Sequence, residues 1–330
     1  MLVILPYNMK SIIIVPALIA LAVTPVWARN HNNSTKTSFA QPQPEFTVVH
    51  NPGIPRSVTF AGEKVDLDRM DMAERLDREL TSMVYTHGNT LLTIKRANRY
   101  FPIMASILKE QGLHQDMLYL ACIESYLDPR AYSSAKAAGI WQFMSSTAQQ
   151  YGLEVSDEVD ERYDVEKETV AACKYLKAAL KRYGNWQSAA SAYNGGTGRI
   201  SSELESQGVS SSFDLYLAEE TRRYPYRMLA MKMIMENPSL YGFTLSAEQL
   251  YQPYQYTTVE VSGVVDDWAQ WALEHGTTYM QIRDYNPWIR ARKLTNKNGK
   301  TYKVKVPKDD AMLRSKVTPK TYNSNWITNQ

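Results

Sequence analysis

Glu124 stands in the stretch LACIESYLDPRA (residues 120–131), directly behind Leu120, Ala121, Cys122 and Ile123. On a helix it shares a face with Met117, Leu120, Ala121 and Leu127, because residues three and four apart are neighbours. A carboxyl group on an apolar face is desolvated, and desolvation disfavours its charged form and raises its pKa. A carboxyl that stays protonated near neutral pH is what a general acid needs to cleave a glycosidic bond. The same pattern also fits a buried glutamate that is satisfied by an N–H or hydroxyl partner and serves structure only. The stretch by itself leaves both readings open.

The residues that follow add to the chemical reading. The helix should end at Asp128-Pro129, because a residue before proline is disfavoured in the helical region. A run of small residues from Ala131 to Gly139 allows close approach of backbone and ligand, with Ser133 and Ser134 offering hydroxyls. Gln142, 18 residues beyond Glu124, can both donate and accept hydrogen bonds. Trp141 and Phe143 present flat apolar faces suited to sugar rings. Ordinary glycosidases use two carboxylates flanking the bond. This stretch has one buried acid, and its nearest acidic neighbour, Asp128, is expected to cap the helix end. A single carboxylate fits an attacking group delivered from within the substrate at high effective concentration.

The elements that position these residues read as mainly helical. Between residues 66 and 237 apolar residues recur at three- and four-residue intervals, as in MAERLDRELTSMV and LLTIKRANRYFPIMASILKEQG, and no alternating strand pattern appears. NGGTGR (194–199) follows a helix and lacks the lysine of a phosphate cradle, so it reads as a turn into the next helix. Asp157 to Glu161 reads as a solvated acidic connection. The tyrosine-rich runs RRYPYR and YQPYQY fit packing and sugar stacking equally well. After Pro238, YQYTTVEVSG and KTYKVKVP alternate like strands and enclose two short helices. The second of these is capped by Thr277 or Thr278 and stopped by Pro287.

The ends of the chain differ in character. Met9-Lys10 followed by the apolar run Ile12–Val23 and Val26-Trp27-Ala28 reads as a secretory signal peptide spanning residues 1–28. Residues 29–65, rich in Asn, Ser, Thr, Gln and Pro, read as a linker, and residues 309–330, without periodicity, as a flexible tail. The net charge of +3 among 330 residues is too small to argue for nucleic acid. Five scattered histidines give no metal-ligand spacing. Cys122 and Cys173 fit either a disulfide or two buried thiols.

Several spaced motifs together resemble one family. Glu124-Ser125, Pro129, Ser133, Gly139-Ile140-Trp141-Gln142 and Ala192-Tyr193-Asn194 follow in order the pattern of lytic transglycosylases, whose catalytic domain has the goose-type lysozyme fold. The resemblance covers roughly residues 70–237. It implies that Glu124 is the single acid and base that cleaves the MurNAc–GlcNAc β-1,4 bond of peptidoglycan and leaves 1,6-anhydro-muramic ends. It implies that Tyr193 hydrogen-bonds Glu124 or holds it in place, that Ser133, Gln142 and Asn194 contact the sugars, and that Glu220 of EETRRY lines the cleft with Thr221 beside it. The segment GTTYMQIRDYNPWIR and the strand YKVKVP resemble a LysM module, a peptidoglycan- or chitin-binding fold. Its start, SGVVDD, departs from the usual Gly-Asp-Thr.

The expected architecture is therefore a lysozyme-like helical catalytic domain over 66–240 and a small α+β (βααβ) LysM-like module over 255–308. The expected partner is the peptidoglycan glycan strand, with no metal or other cofactor and a periplasmic or cell-envelope location. A hydrolytic muramidase with the same acid, or a non-catalytic peptidoglycan-binding scaffold, are the alternatives.

Overall fold

The computed structural model describes residues 53–308, 310 and 312–328. The expected signal peptide and the linker up to residue 52 lie outside the described residues. From Met70 onward the chain is mainly helical up to residue 250. The segments are α1 (Met70–Tyr85), α2 (His87–Glu110), α3 (Leu118–Ser125), α4 (Ser145–Gln150), α5 (Val165–Tyr183), α6 (Trp186–Gly195), α7 (Thr197–Gln207) and α8 (Glu219–Glu236). Helix α1 buries Met72, Leu76, Glu79, Leu80 and Met83, the one-sided stripe of an amphipathic helix. Its single buried charge, Glu79, is met by the guanidinium of Arg223 on α8, with Nε at 2.6 Å and Nη2 at 2.9 Å. Helix α5 begins at Asp164, whose carboxylate accepts from the N–H groups of Glu166 and Lys167, and ends at Gly184 in the left-handed conformation. Both ends thus satisfy backbone groups that the helix leaves unpaired.

Part of the expected linker is folded. Residues 57–66 form a hairpin of β1 (Ser57–Phe60) and β2 (Glu63–Asp66). Ala61 and Gly62 form its two-residue turn, both at positive φ, the backbone of a type I′ turn. Ala-Gly is a weaker signal for that turn than Asn-Gly, and four-residue strands show almost no alternation. The hairpin is held by Phe60, which is fully buried with its ring centroid 4.1 Å from that of Trp186.

After the helical domain, β3 (Tyr256–Val261), α9 (Trp268–Glu274), α10 (Tyr279–Tyr285) and β4 (Tyr302–Pro307) form the βααβ module. The strands pair antiparallel with Val259 opposite Val304. Thr278 caps α10, its hydroxyl accepting from the Gln281 N–H while Gln281 reaches back.

The acidic connection at 157–161 is not a solvated loop. Val159 forms an isolated antiparallel bridge with Ile289 of the module. Glu158 accepts from the Thr295 N–H at 2.8 Å and hydroxyl at 2.9 Å, and the neighbouring acids Glu154 and Glu166 pair with Lys300 and Lys305. The stretch is a docking segment: Glu158 bonds the module, the flanking acids Glu154 and Glu166 meet its lysines, and Asp160 and Glu161 pair with Arg162 and Lys167 of the helical domain.

The expected flexible tail is likewise anchored. Trp326 is 2% exposed and its indole donates to the Met235 carbonyl at 2.7 Å. Tyr322 N–H donates to Asn98, which in turn donates to the Lys320 carbonyl. The strap shows no periodicity because single residues hold it, with no repeating face. Trp326→Ala should lower unfolding free energy by about 3–5 kcal/mol, the usual loss for a buried aromatic, measured by urea titration of the full chain. A change below about 0.5 kcal/mol, the usual range for surface substitutions, would mean the tail is loose.

Candidate active site

Helix α3 is eight residues long and almost wholly apolar, with Leu120, Ala121 and Cys122 fully buried. It ends earlier than the proline alone requires. Tyr126 and Leu127 both take left-handed backbone, at φ 53° and 56°, conformations uncommon for residues with a Cβ. Arg96 holds this corner, donating to the Tyr126 carbonyl at 3.1 Å and the Asp128 carboxylate at 2.8 Å. Asp128 is thus an ion-pair partner of Arg96 and also accepts from the Arg130 N–H.

The reversal leaves Glu124 with its carboxyl enclosed and part of its side chain open to solvent. Burial pushes its pKa from an ordinary 4.5 up to about 7. A hydrogen bond from the Tyr224 hydroxyl and the nearby charge of Arg227 work against that rise, and the charge of Glu220 works with it. The Arg227 guanidinium donates to the Ile123 carbonyl at 2.9 Å.

Burial also raises Glu63, Asp164 and Glu168 among the described carboxylates. Glu63 lies exposed on the hairpin, and Asp164 caps α5. Glu168 is fully buried, its carboxylate accepting from the Ile140 N–H at 3.2 Å and the Trp141 N–H at 3.0 Å. Glu124 alone of the four combines an enclosed carboxyl, solvent access and a side-chain hydroxyl donor.

Tied to α3 beside it is the segment 131–143, built by its own backbone. Gly139 sits at φ +83° where a Cβ would overlap the Arg162 carbonyl and the Glu168 carboxylate, so only glycine fits. Ser125 donates to the Ile140 carbonyl at 2.8 Å, tying the segment to α3. Gln142 donates to the Gly139 carbonyl at 2.8 Å and the Ala131 carbonyl at 3.3 Å. The Ser133 hydroxyl accepts from the Ala137 N–H at 3.0 Å. In these contacts Ser133 and Gln142 shape the loop itself.

Tyr193 does not reach Glu124 by a hydrogen bond. Its hydroxyl donates to the Trp141 carbonyl at 2.7 Å, close enough to Glu124 for that charge to disfavour its own ionisation. The hydroxyl that bonds Glu124 belongs to Tyr224. Asn194 is half-buried near the end of α6, and Glu220 is exposed in the first turn of α8. Thr221 is buried against Gly195. Sequence reasoning missed Tyr224, Arg227, Glu168 and Arg162. Tyr224 carried a usable signal, because it lies four residues after Glu220 and therefore on the same helix face.

Residues 102–214 match the family described as Transglycosylase SLT domain. The chain carries a transglycosylase SLT domain. Residues 257–310 match the soluble lytic transglycosylase C-terminal LysM-like domain. Over 247 residues, 72% of this chain, the sequence is 31% identical to membrane-bound lytic murein transglycosylase D of Escherichia coli strain K12 and, equally, to that of Escherichia coli O6:H1 strain CFT073. The chain spans about half of those relatives, 52% of each. A solved structure, the 70 kDa soluble lytic transglycosylase from Escherichia coli, aligns at 17% identity and TM-score 0.39, over 57% of this chain and 34% of that one. Glu124, Ser133, Gln142, Tyr193 and Asn194 lie inside the SLT match. Glu220 and Tyr224 lie beyond its end.

Two outcomes follow for Glu124. Because its folded value exceeds the ordinary 4.5, the folded protein keeps a proton that the unfolded chain releases between about pH 4.5 and 7. The associated stability is fully present below that window and is lost as pH rises through it. Glu124→Gln cannot ionise, so it should be more stable than wild type by about 1–3 kcal/mol at pH 8 and equal to it at pH 4, by urea unfolding. Tyr224→Phe removes a donor that favours the carboxylate. The infrared carboxyl band of Glu124 should then titrate at higher pH than in wild type, and a shift to lower pH would refute the assignment of that hydrogen bond.

Proposed function

We propose that the protein is a peptidoglycan lytic transglycosylase in which Glu124 is the single acid and base. The observation that carries this reading is the Glu124 carboxyl, raised to about 7 by burial and bonded by Tyr224, within a chain that carries an SLT domain. Neutral Glu124 donates its proton to the glycosidic oxygen between MurNAc and GlcNAc, and the bond to the muramic anomeric carbon breaks. The Glu124 carboxylate then takes the proton of the muramic 6-hydroxyl as that oxygen attacks the same anomeric carbon. The proton count returns to its start, no water is consumed, and a 1,6-anhydro ring remains. An internal nucleophile needs no second carboxylate, since tethering supplies its effective concentration.

In this reading the Tyr224 hydroxyl holds the carboxyl in place in both protonation states. It favours the carboxylate, so it lowers the barrier to proton donation while burial maintains the acid. The loop built on Gly139 and Gln142, with Ser133, Tyr193 and Asn194 around it, forms the sugar-binding wall, and Glu220 with Thr221 forms the facing rim. The LysM-like module binds the glycan strand. The relatives named membrane-bound murein transglycosylase and the N-terminal apolar segment support a periplasmic, envelope-associated location.

One observation favours a second reading. Glu220 is an exposed carboxylate whose charge reaches Glu124, and a second carboxylate that activates water defines a hydrolase. Mass spectrometry of digested peptidoglycan separates the two. Anhydro-muramic ends are expected, with Glu124→Gln slowing release by about 10²–10⁴-fold, the range for loss of a general acid. Reducing muramic ends would establish the hydrolase instead. Release unaffected by Glu124→Gln would remove Glu124 from the chemistry.

A further inference from the structure

Three residues of the helical domain join the apolar core of the module. Ala138, one residue before the Gly139 kink, is fully buried in the same cluster as Trp268, Ile282, Trp288, Ile289 and Val304 of the module, together with Val159 and Tyr163. The backbone continues this contact. Asp160 N–H donates to the Trp288 carbonyl at 2.9 Å, and Arg290 N–H donates to the Glu158 carbonyl at 2.9 Å, so 158–160 lies against 288–290 around the isolated Val159–Ile289 bridge.

Two residues on, Arg162 links that pair to the candidate site. It is 6% exposed. Its Nε and Nη2 hold the Asp160 carboxylate at 2.9 and 2.7 Å. Its Nη1 donates to the carbonyls of Lys136 at 3.0 Å and Phe143 at 3.1 Å. Those two carbonyls bracket the segment that contains Gly139 and Gln142, and its own carbonyl is what a Cβ at Gly139 would strike. A guanidinium can do this because its planar fork presents donors in fixed directions, which an ammonium does not.

We propose that Arg162 is a positioning residue through which the docked C-terminal module holds the 136–143 loop in its working shape, so that the module contributes to turnover itself as well as to substrate capture. This rests on the lytic transglycosylase reading. A module that served only as a tether would leave the loop and the chemistry of a short soluble substrate untouched.

The test uses the full chain and two variants. Arg162→Lys keeps the charge beside Asp160 but cannot span both carbonyls. Ile289→Asp places a carboxylate in the shared core, undocking or unfolding the module while changing no residue of the helical domain. Hydrogen exchange by mass spectrometry should show amides of 137–143 exchanging at least tenfold faster in both, with α5 and α8 still protected. On a soluble tetrasaccharide of alternating N-acetylglucosamine and N-acetylmuramic acid, kcat should fall at least tenfold with KM within twofold of wild type. Wild-type exchange in 137–143 and wild-type kcat in both variants overturn the proposal. Loss confined to insoluble sacculi also overturns it, being the signature of tethering alone. If Arg162→Lys loses protection in α5 and α8, Ile289→Asp decides the matter. A wild-type chain that turns over neither substrate refutes the proposed reaction, and the exchange result then stands or falls separately.

Discussion

Keeping one carboxyl group neutral beside open solvent is the constraint that the surrounding structure answers to. Glu124 is lifted by burial and held by one phenol. An added N–H donor or a directly paired cation would favour the carboxylate and work against the rise. Arg227 is the cation at hand, and its guanidinium is engaged by the Ile123 carbonyl. The short apolar helix α3 provides the burial, and the sharp left-handed exit at Tyr126 and Leu127 keeps the helix from running on past the acid. Residues with a Cβ hold such backbone at a cost of order 1 kcal/mol each, and here Arg96 bonds the exit from outside.

Glu168 shows how a neighbouring carboxylate with the same kind of shift takes a different role. Burial raises both. Glu168 has no solvent access and receives two backbone N–H groups, so it serves as an anchor for Ile140 and Trp141. A buried polar group must be satisfied, and here the satisfaction fixes the loop that Ser125 ties to α3. The same loop carries hydrogen bonds from Ser125 on α3, from Tyr193 on α6 and from Arg162. A segment without regular secondary structure is thereby held from several directions.

What could be read from the sequence follows the range of the signals. Glu124, its apolar face, the helical domain and the βααβ module all rest on local periodicity, capping and spacing, and the Thr278 cap was narrowed to two candidates. The partner of Glu124 lies 100 residues away, so its only local signal is the four-residue spacing of Tyr224 from Glu220, and the fold alone brings it to Glu124. The hairpin at 57–66 and the strap at 312–328 read as irregular chain because each is held by a few scattered contacts centred on one buried aromatic, Phe60 or Trp326. Neither has the repeating face that periodicity detects. The acidic stretch at 157–161 reads as solvated in sequence because its partners, Thr295 for Glu158 and Trp288 for the Asp160 N–H, come from a distant part of the chain.

That acidic face changes what the C-terminal module can do. A freely tethered domain raises local concentration over the whole reach of its linker. Here both connections are pinned. On entry, Tyr251 N–H donates to the Lys95 carbonyl, the Arg99 guanidinium lies 4.1 Å from the Tyr254 ring, and Tyr254 stacks on Tyr285. On exit, Trp326 is buried against the end of α8. Together with the shared core, these contacts fix the module's orientation relative to α3. A strand held by such a module would meet Glu124 at a set distance along its length, so rigid docking exchanges reach for register. Register matters for the proposed reaction because MurNAc and GlcNAc alternate, and in it only the bond whose muramic 6-hydroxyl can reach its own anomeric carbon yields an anhydro product.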